Sequence, residues 1–416
     1  MKRTNISVVY LSPGWPLSEF PNGIVTYVQN ILAGFGGRIT AIIATNKLVT
    51  KGLDEYKIID LTQFNKNNGV IYRLGNKLLS IKGIPRYIKN FYKENRIKNY
   101  CTAILKGINS LGYKVDILEV DESFGVAKYL VKKTKIPIVT RLHGPWFIHG
   151  PIMHLDKEND YHMRVESEGE AIRLSNGVTA PSLDVLNRVR EFYGILLPNA
   201  LVIPNPVPAV LQKNQWQYRS GKKQTILVVG RFDLHKGGDL ALDAFRIVAS
   251  ENHEVELLFV GPDRGVLVDG TSYSFNEYLD AFIPELEIKK RIQFLGRCET
   301  EKISTLRKSS SVTFMPSRYD NFPMSLLEAL ATGSPVVAAS AGGMKEMIID
   351  DYNGFLAMSE SAESMAEKLS QLLRDPEKMQ RFSKNAIQDS QDRFSPETVA
   401  KQTEVFYRQV IDNKFI

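Results

Sequence analysis

Cysteine is nearly missing from this sequence. Its 416 residues include two, Cys101 and Cys298, far apart and without metal-ligand spacing. That argues against a disulfide framework or a zinc site and suits a reducing cytoplasm. Long apolar runs are missing too: none approaches the roughly 20 residues that a bilayer-spanning helix requires. The N-terminal run ISVVYL is cut off by SPGWP. It is too short for the apolar core of a secretory signal and has the length of a buried first strand. Helix-turn-helix, RNA-binding and zinc-finger signatures are absent, so no nucleic-acid partner is expected. The Walker A pattern GxxxxGK[ST] is absent as well.

What is there is ordinary for a globular protein, with 43% apolar and 24% charged residues in a length that supports two or three cored domains. The charge is uneven. Residues 1–205 hold 27 Lys and Arg against 17 Asp and Glu, and the remainder holds 26 against 29. The excess concentrates in residues 66–106, where ten cations face one acid, Glu94, among Ile71, Tyr72, Leu78, Leu79, Ile84, Tyr87, Ile88, Phe91 and Tyr92. Two readings fit this tract: an anionic membrane surface or ligand, or a solvated helical hairpin with a basic face.

Short β-branched runs alternate with helical patterns along the whole chain. Strands are expected at 6–12, 39–45, 117–120, 137–143 and 177–182, and again at 225–230, 256–261, 292–296, 312–317 and 335–340. Runs without polar alternation indicate parallel strands buried on both faces, and strand–helix alternation indicates doubly wound α/β domains. The pattern restarts after the proline-rich LVIPNPVPAVL and the polar KNQWQYRSGKKQ. This gives an N-terminal Rossmann-like domain over 1–205, a second over 206–395 and a C-terminal helix over 396–416 that packs back on the first. Ser395 and Pro396 supply the N-cap and first position of that helix. Ligands of such sheets bind beyond the carboxyl ends of the strands, so a cleft between the two domains is the expected site.

Two stretches look chemical. In GRFDLHKGG, Arg231 and Lys236 follow a strand, and Gly237 and Gly238 open a helix. Two cations at a helix start make an anion site, most naturally for a diphosphate. In SRYDNFPMSLLEALATGSPVVAAS, Asp320 precedes a helix and Glu328 sits within it among leucines and alanines. An ionised carboxylate in such a helix needs donors, which a ribose diol would supply; the alternative is that Asp320 caps the helix and Glu328 lies on a wet face. The N–H groups of Asn321, Phe322 and Met324 lie near the positive helix end, where Pro323 has none to give.

The Asp320–Glu328 spacing resembles the E-x7-E motif of retaining glycosyltransferases of the two-Rossmann GT-B architecture, family 4 (glycosyl transferases group 1), with Asp in place of the first Glu. EALATGSPVVAASAGGMKEMIIDDYNGFLA, GRFDLHKGG, VIPNPV and PNGIVTYVQNIL resemble further elements of that family, in family order. The resemblance implies an α/β fold of two Rossmann-like domains facing a central cleft. It implies a hexosyl transfer with retention, from a nucleotide-sugar (UDP first, GDP second) to a hydroxyl of a glycan or lipid-linked acceptor, as in surface-polysaccharide synthesis. It implies no cofactor and no metal, since Arg231 and Lys236 would neutralise the leaving diphosphate. Glu328 would hold the ribose, Asp320 the donor sugar, Gly23 would approach the phosphates, and His143 would contact the transferred sugar. Gly261 and Arg297 would lie at the base, and His149, His154 and His162 are acceptor-side candidates.

This sequence departs from the family in two places: Asp320 is one methylene short, and PNG stands where many members have GG. Two other classes remain open. A sugar-nucleotide epimerase of the same build would convert donor without acceptor, and a non-catalytic nucleotide-sugar-binding protein would never release free nucleotide. The expected location is cytoplasmic, peripheral on the membrane's cytoplasmic face where the basic tract engages lipid.

Overall fold

Each half of the chain folds its apolar runs into one parallel sheet. The computed structural model describes residues 5–49, 56–65, 85–157, 160–221 and 223–414. Two compact units result, one comprising Met1–Pro181, Val185–Ile203 and Val399–Ile416, the other Ser182–Asp184 and Pro204–Thr398.

The first unit contains β1 (Ile6–Ser12), β2 (Ile39–Thr45), β3 (Lys57–Asp60), β4 (Ile117–Asp121), β5 (Ile138–Arg141), β6 (Gly177–Ala180) and β7 (Ala200–Val202). Their order is β3-β2-β1-β4-β5-β6-β7, with every pairing parallel. β1 is buried along its full length, as a central strand covered on both faces must be. The order reverses between β1 and β4, which creates a switch point at the carboxyl edge. β5 ends at Arg141, short of the expected 143, because the N–H of His143 turns to the carboxylate of Glu122 (2.8 Å).

The helix Pro396–Asp412 starts with Ser395 Oγ accepting from the Thr398 N–H (3.3 Å). It buries Val399, Ala400, Phe406, Tyr407 and Val410, which share an apolar cluster with Ile6, Val8 and Tyr10 of β1. Gly177 is required here, since a Cβ would lie 2.7 Å from Val410 and 2.9 Å from Phe406. The polar end of this packing is a buried network. Tyr27 and Tyr407 each donate to Glu119, and the Tyr10 and Tyr407 hydroxyls are 2.9 Å apart.

Of the basic tract, residues 66–84 lie outside the described residues, and 86–106 fall in the helix Arg86–Asn109. That helix buries Cys101, Ala103, Ile104 and Ile108 and leaves Phe91 exposed. No described helix is long and apolar enough to cross a membrane.

The second unit contains β8 (Thr225–Val229), β9 (Phe232–Asp233), β10 (Glu256–Val260), β11 (Asp263–Val268), β12 (Thr271–Tyr273), β13 (Ile292–Gly296), β14 (Val312–Met315), β15 (Val336–Ala339) and β16 (Phe355–Ala357). The main sheet runs β13-β10-β8-β14-β15-β16, all parallel, with its switch point between β8 and β14. β9, β11 and β12 form a small separate sheet. The Pro-rich segment before β8 is anchored by Trp216, whose indole N–H donates to Ser310 O (2.7 Å) and whose backbone N–H donates to Thr332 O (2.8 Å).

Candidate donor site and a second polar centre

In the second unit, the expected residues gather along one edge of the sheet. Arg231 follows β8, Gly261 follows β10, Arg297 follows β13 and Asp320 follows β14, so all four lie beyond carboxyl ends of parallel strands. Arg231 and Asp320 belong to the two loops flanking the switch point.

The loop after β8 is organised by a residue the sequence reading passed over. Asp233 accepts from Arg231 Nε through one oxygen (2.5 Å) and from the Lys236 N–H through the other (2.8 Å). This turn presents Lys236, whose ammonium is salt-bridged to Asp320. Gly237 follows with φ +68°, and a Cβ there would lie 2.2 Å from Pro316 O. Only glycine lets the start of helix Gly238–Glu251 approach the end of β14 this closely. A second bond ties the same loops. Arg318 makes a fork to both oxygens of Asp239 (2.7 and 2.6 Å) and also donates to Leu234 O (2.8 Å).

Asp320 and Asn321 are buried, and their backbone is gripped by the AGG turn. Gly343 N–H donates to Asp320 O (2.9 Å). A Cβ on Gly342, at φ +52°, would meet that oxygen at 2.1 Å, and one on Gly343 would meet Asn321 O at 2.0 Å. Phe322 anchors the loop from below, edge-on to Phe394 (5.6 Å between centroids). Pro323 is the N-cap residue, and the helix Met324–Thr332 begins after it without a side-chain cap, then ends at Gly333 in the left-handed conformation. The N-terminal N–H groups and dipole therefore make a favourable place for an anion.

Of the two readings of Glu328, the wet face is the one found, although Asp320 does not cap the helix. Met324, Ser325 and Glu328 form a half-exposed stripe, while Leu326, Leu327, Ala329 and Leu330 are buried on the other faces. Helical spacing explains the separation, since positions three and four apart share a face. The Glu328 side chain is 38% exposed and accepts a salt bridge from Arg307 Nη2 at 2.6 Å. Arg307 itself is buried, and it is a further residue that sequence reading missed. Gly261 is required by packing, since at φ +146° a Cβ would sit 1.8 Å from Gly230 O. Arg297 is exposed.

Gly23 and His143 belong to the first unit. Gly23 is the exposed first residue of helix Gly23–Phe35, capped by Asn22, and a Cβ there would meet nothing within 4 Å. His143 lies just past β5, edge-on to the Tyr27 ring (5.0 Å). Burial, assisted by the Arg141 charge, holds its pKa well below the usual imidazole range, so the ring is neutral at pH 7. His149 lies in helix Trp146–Ile152, His154 has φ +56° just beyond it, and His162 opens helix Tyr161–Leu174.

Behind His143 lies a buried acidic pair that no sequence motif announced. Glu122 accepts from the N–H groups of His143 (2.8 Å) and Gly144 (2.6 Å). Glu168 accepts from Trp146 N–H (2.7 Å) and Arg164 Nε (2.8 Å). Burial, then the charges of Asp121 and Glu168, push the Glu122 carboxyl up to about 8. Together these carboxyl groups fix the path of residues 143–146 through backbone bonds.

The family model for glycosyl transferases group 1 matches residues 212–389. Uncharacterized glycosyltransferase MJ1607 of Methanocaldococcus jannaschii is 29% identical over 186 residues, 45% of each chain, so the match spans less than half of that relative. MJ1178 of the same organism, also named an uncharacterized glycosyltransferase, is 24% identical over 367 residues, covering 83% of this chain and 95% of that one. Among solved structures, Anabaena Alr3699/HepE in complex with UDP and glucose superposes with a TM-score of 0.67 at 18% identity, covering 97% of this chain and all of that one. The likeness is one of fold: two Rossmann-like domains of the GT-B type. Residues 212–389 are thus similar to the glycosyl transferases group 1 family.

Proposed function

We propose that this protein is a retaining, family 4 glycosyltransferase. It moves a hexosyl group from a nucleotide-sugar to a hydroxyl of a glycan or lipid-linked acceptor, in surface-polysaccharide or glycoconjugate synthesis. The observation that carries this reading is the Lys236–Asp320 salt bridge at the switch point of the second unit, beside Arg231 and an uncapped helix start. A diphosphate meets there two cations and a positive dipole end. The Anabaena protein's complex with UDP and glucose supports UDP as the first donor base to test, with GDP second.

Lys236 and Arg231 bind the diphosphate and stabilise the charge that grows on it as the glycosidic bond breaks. Asp320 orients the donor sugar and holds Lys236. The N–H groups of Asn321, Phe322 and Met324 add donors, Glu328 accepts from the ribose hydroxyls with Arg307 fixing its carboxylate, and Gly261 and Arg297 line the base. On the first unit, Gly23 and neutral His143 are the residues assigned a part in the reaction, His143 as a hydrogen-bonding group that adds no charge. The acceptor oxygen bonds to the anomeric carbon on the face from which the diphosphate leaves, and its proton passes to the departing phosphate oxygen. This assignment needs no metal, since the two cations do the neutralising. The basic helix Arg86–Asn109, with Phe91 exposed, would bring the enzyme to an anionic cytoplasmic membrane face.

A panel of UDP- and GDP-sugars, followed by release of free nucleotide, tests the activity. Turnover that rises with acceptor supports transfer. Donor conversion without nucleotide release would favour an epimerase, and saturable binding without turnover a non-catalytic binding protein.

A further inference from the structure

His143 has a part in the proposed reaction, and its backbone and its ring are held by different means. Glu122 fixes the backbone by accepting from its N–H (2.8 Å). The ring lies edge-on to that of Tyr27, with 5.0 Å between centroids and 68° between planes. The place of the imidazole therefore depends on the place of the Tyr27 ring, which is buried on helix Gly23–Phe35.

A chain of buried hydrogen bonds fixes that ring from its far end. The Tyr27 hydroxyl donates to Glu119 Oε1 on β4 (3.0 Å). The other oxygen of Glu119 accepts from the hydroxyl of Tyr407, on the C-terminal helix Pro396–Asp412. With its proton given to Glu119, the Tyr407 oxygen accepts from Tyr10 of β1 at 2.9 Å. Arg141, at the end of β5, lies over the face of Tyr27 with its guanidinium 4.5 Å from the ring centre. Strands β1, β4 and β5 and two helices thus meet around one phenol, and all five side chains are buried. The C-terminal helix does not need this network to dock. Val399, Ala400, Phe406 and Val410 already give it a buried apolar stripe. Buried polar partners replaced by apolar groups of the same shape often leave a protein equally stable. What the network adds is position, since its hydroxyl directions admit few arrangements of the rings.

We propose that Tyr407 and Glu119 are positioning residues for His143, acting through the Tyr27 ring, so that the C-terminal helix sets the orientation of the imidazole. Tyr407 holds Glu119, Glu119 holds the Tyr27 hydroxyl, and the Tyr27 ring holds the imidazole edge. The consequence for turnover rests on the glycosyltransferase reading; the hold on the imidazole does not. An imidazole turned out of line loses hydrogen-bond geometry as the reaction proceeds, so the loss falls on kcat and leaves donor binding on the second unit unchanged.

The test compares Tyr407→Phe, which removes one hydroxyl and keeps the ring, with Val410→Ala, which loosens the apolar packing of the same helix and leaves the hydroxyls in place. Two readouts are taken on the full chain. One is the imidazole nitrogen resonances of His143, assigned among the six histidines with His143→Gln. The other is kcat and KM for the nucleotide-sugars that are turned over. Tyr407→Phe should move the His143 resonances and lower kcat by about ten-fold, with KM for the donor within about two-fold of the parent, the scale of a slightly misplaced reacting group. Val410→Ala should lower the thermal midpoint and leave the His143 resonances and kcat as in the parent. Unmoved His143 resonances in Tyr407→Phe, an unchanged kcat in that variant, or losses of kcat that follow stability in both variants overturn the proposal. Moved resonances in a chain that turns over no nucleotide-sugar would overturn the glycosyltransferase reading and leave the hold on His143 standing.

Discussion

The ammonium of Lys236 is salt-bridged to the carboxylate of Asp320, joining the loops that leave β8 and β14 on either side of the sheet's switch point. Each side chain thereby fixes the other before any ligand arrives. Lys236→Ala and Asp320→Asn should each lower turnover by about 10²-fold or more, as expected for groups that meet developing charge. The double variant should lose little beyond the worse single one, since the two act as a unit. A double-mutant cycle on kcat/KM for nucleotide-sugar turnover measures this, and fully additive losses would show that the pair does not work together.

Glu328 and Arg307 make a second, separable pair. Glu328→Gln should raise KM for the donor more than it lowers kcat, because ribose binding is common to ground and transition states. It should cost about 1 kcal/mol of stability, the discounted value for a pair with one half-exposed partner and one buried one. Chemical denaturation and steady-state kinetics of the same variant read both quantities. An unchanged KM would leave Glu328 as a partner for Arg307 alone.

Gly342 holds the Asp320 backbone in place by having no side chain. Gly342→Ala should displace the Asp320–Asn321 loop and weaken donor binding by about ten-fold or more, since a clash at 2.1 Å and an unfavourable φ act together. Gly23→Ala meets no neighbour and should leave the thermal midpoint within about 0.5 kcal/mol equivalent of the parent. Thermal unfolding and UDP titration of the two variants separate the packing role from the ligand role.

Much of this was legible in the sequence because it is written in local pattern. β1, β2 and β13 occupy the expected 6–12, 39–45 and 292–296, since buried parallel strands appear as uninterrupted β-branched runs. That Arg231, Lys236 and Asp320 lie in loops after parallel strands could be read because β8 and β14 are uninterrupted apolar runs. The hairpin of β11 and β12 was missed although its turn, Asp269-Gly270, has both residues at positive φ and is a recognisable hairpin signal. Glu122 and Arg307 were not legible at all, since their partners His143 and Glu328 lie 21 residues away and are brought together only by tertiary packing. Glu168 was half legible: its partner Arg164 stands at helical i,i+4 spacing, but the Trp146 N–H that it accepts from is 22 residues away. Asp233 lay between the two, since an Asp three residues before Lys236 is a turn pattern that could have been read.

The buried carboxyl of Glu122 gives stability a pH dependence. Its pKa in the folded protein is about 8, above the ordinary carboxyl value of 4.5. The folded state therefore binds the proton more tightly than the unfolded chain. The resulting stabilisation is complete below the unfolded value and is lost as pH rises through about 8. Burial also raises Glu168 and Asp121, which act in the same direction. The thermal midpoint should fall between about pH 5 and pH 9, and Glu122→Gln, which stays neutral, should flatten part of that slope. Parallel pH profiles of the midpoint for the two proteins check the sign, and a steeper slope in the variant would contradict it.

The central claim is that the second unit holds a nucleotide-sugar donor at the Lys236–Asp320 pair. Calorimetric titration of UDP and GDP onto the full chain and onto Lys236→Ala tests it most directly. The account predicts one saturable nucleotide site in the parent and an affinity at least about ten-fold lower in the variant, the scale of one charge-assisted phosphate contact. Absence of saturable binding by either nucleotide, or equal affinity in the variant, would contradict it.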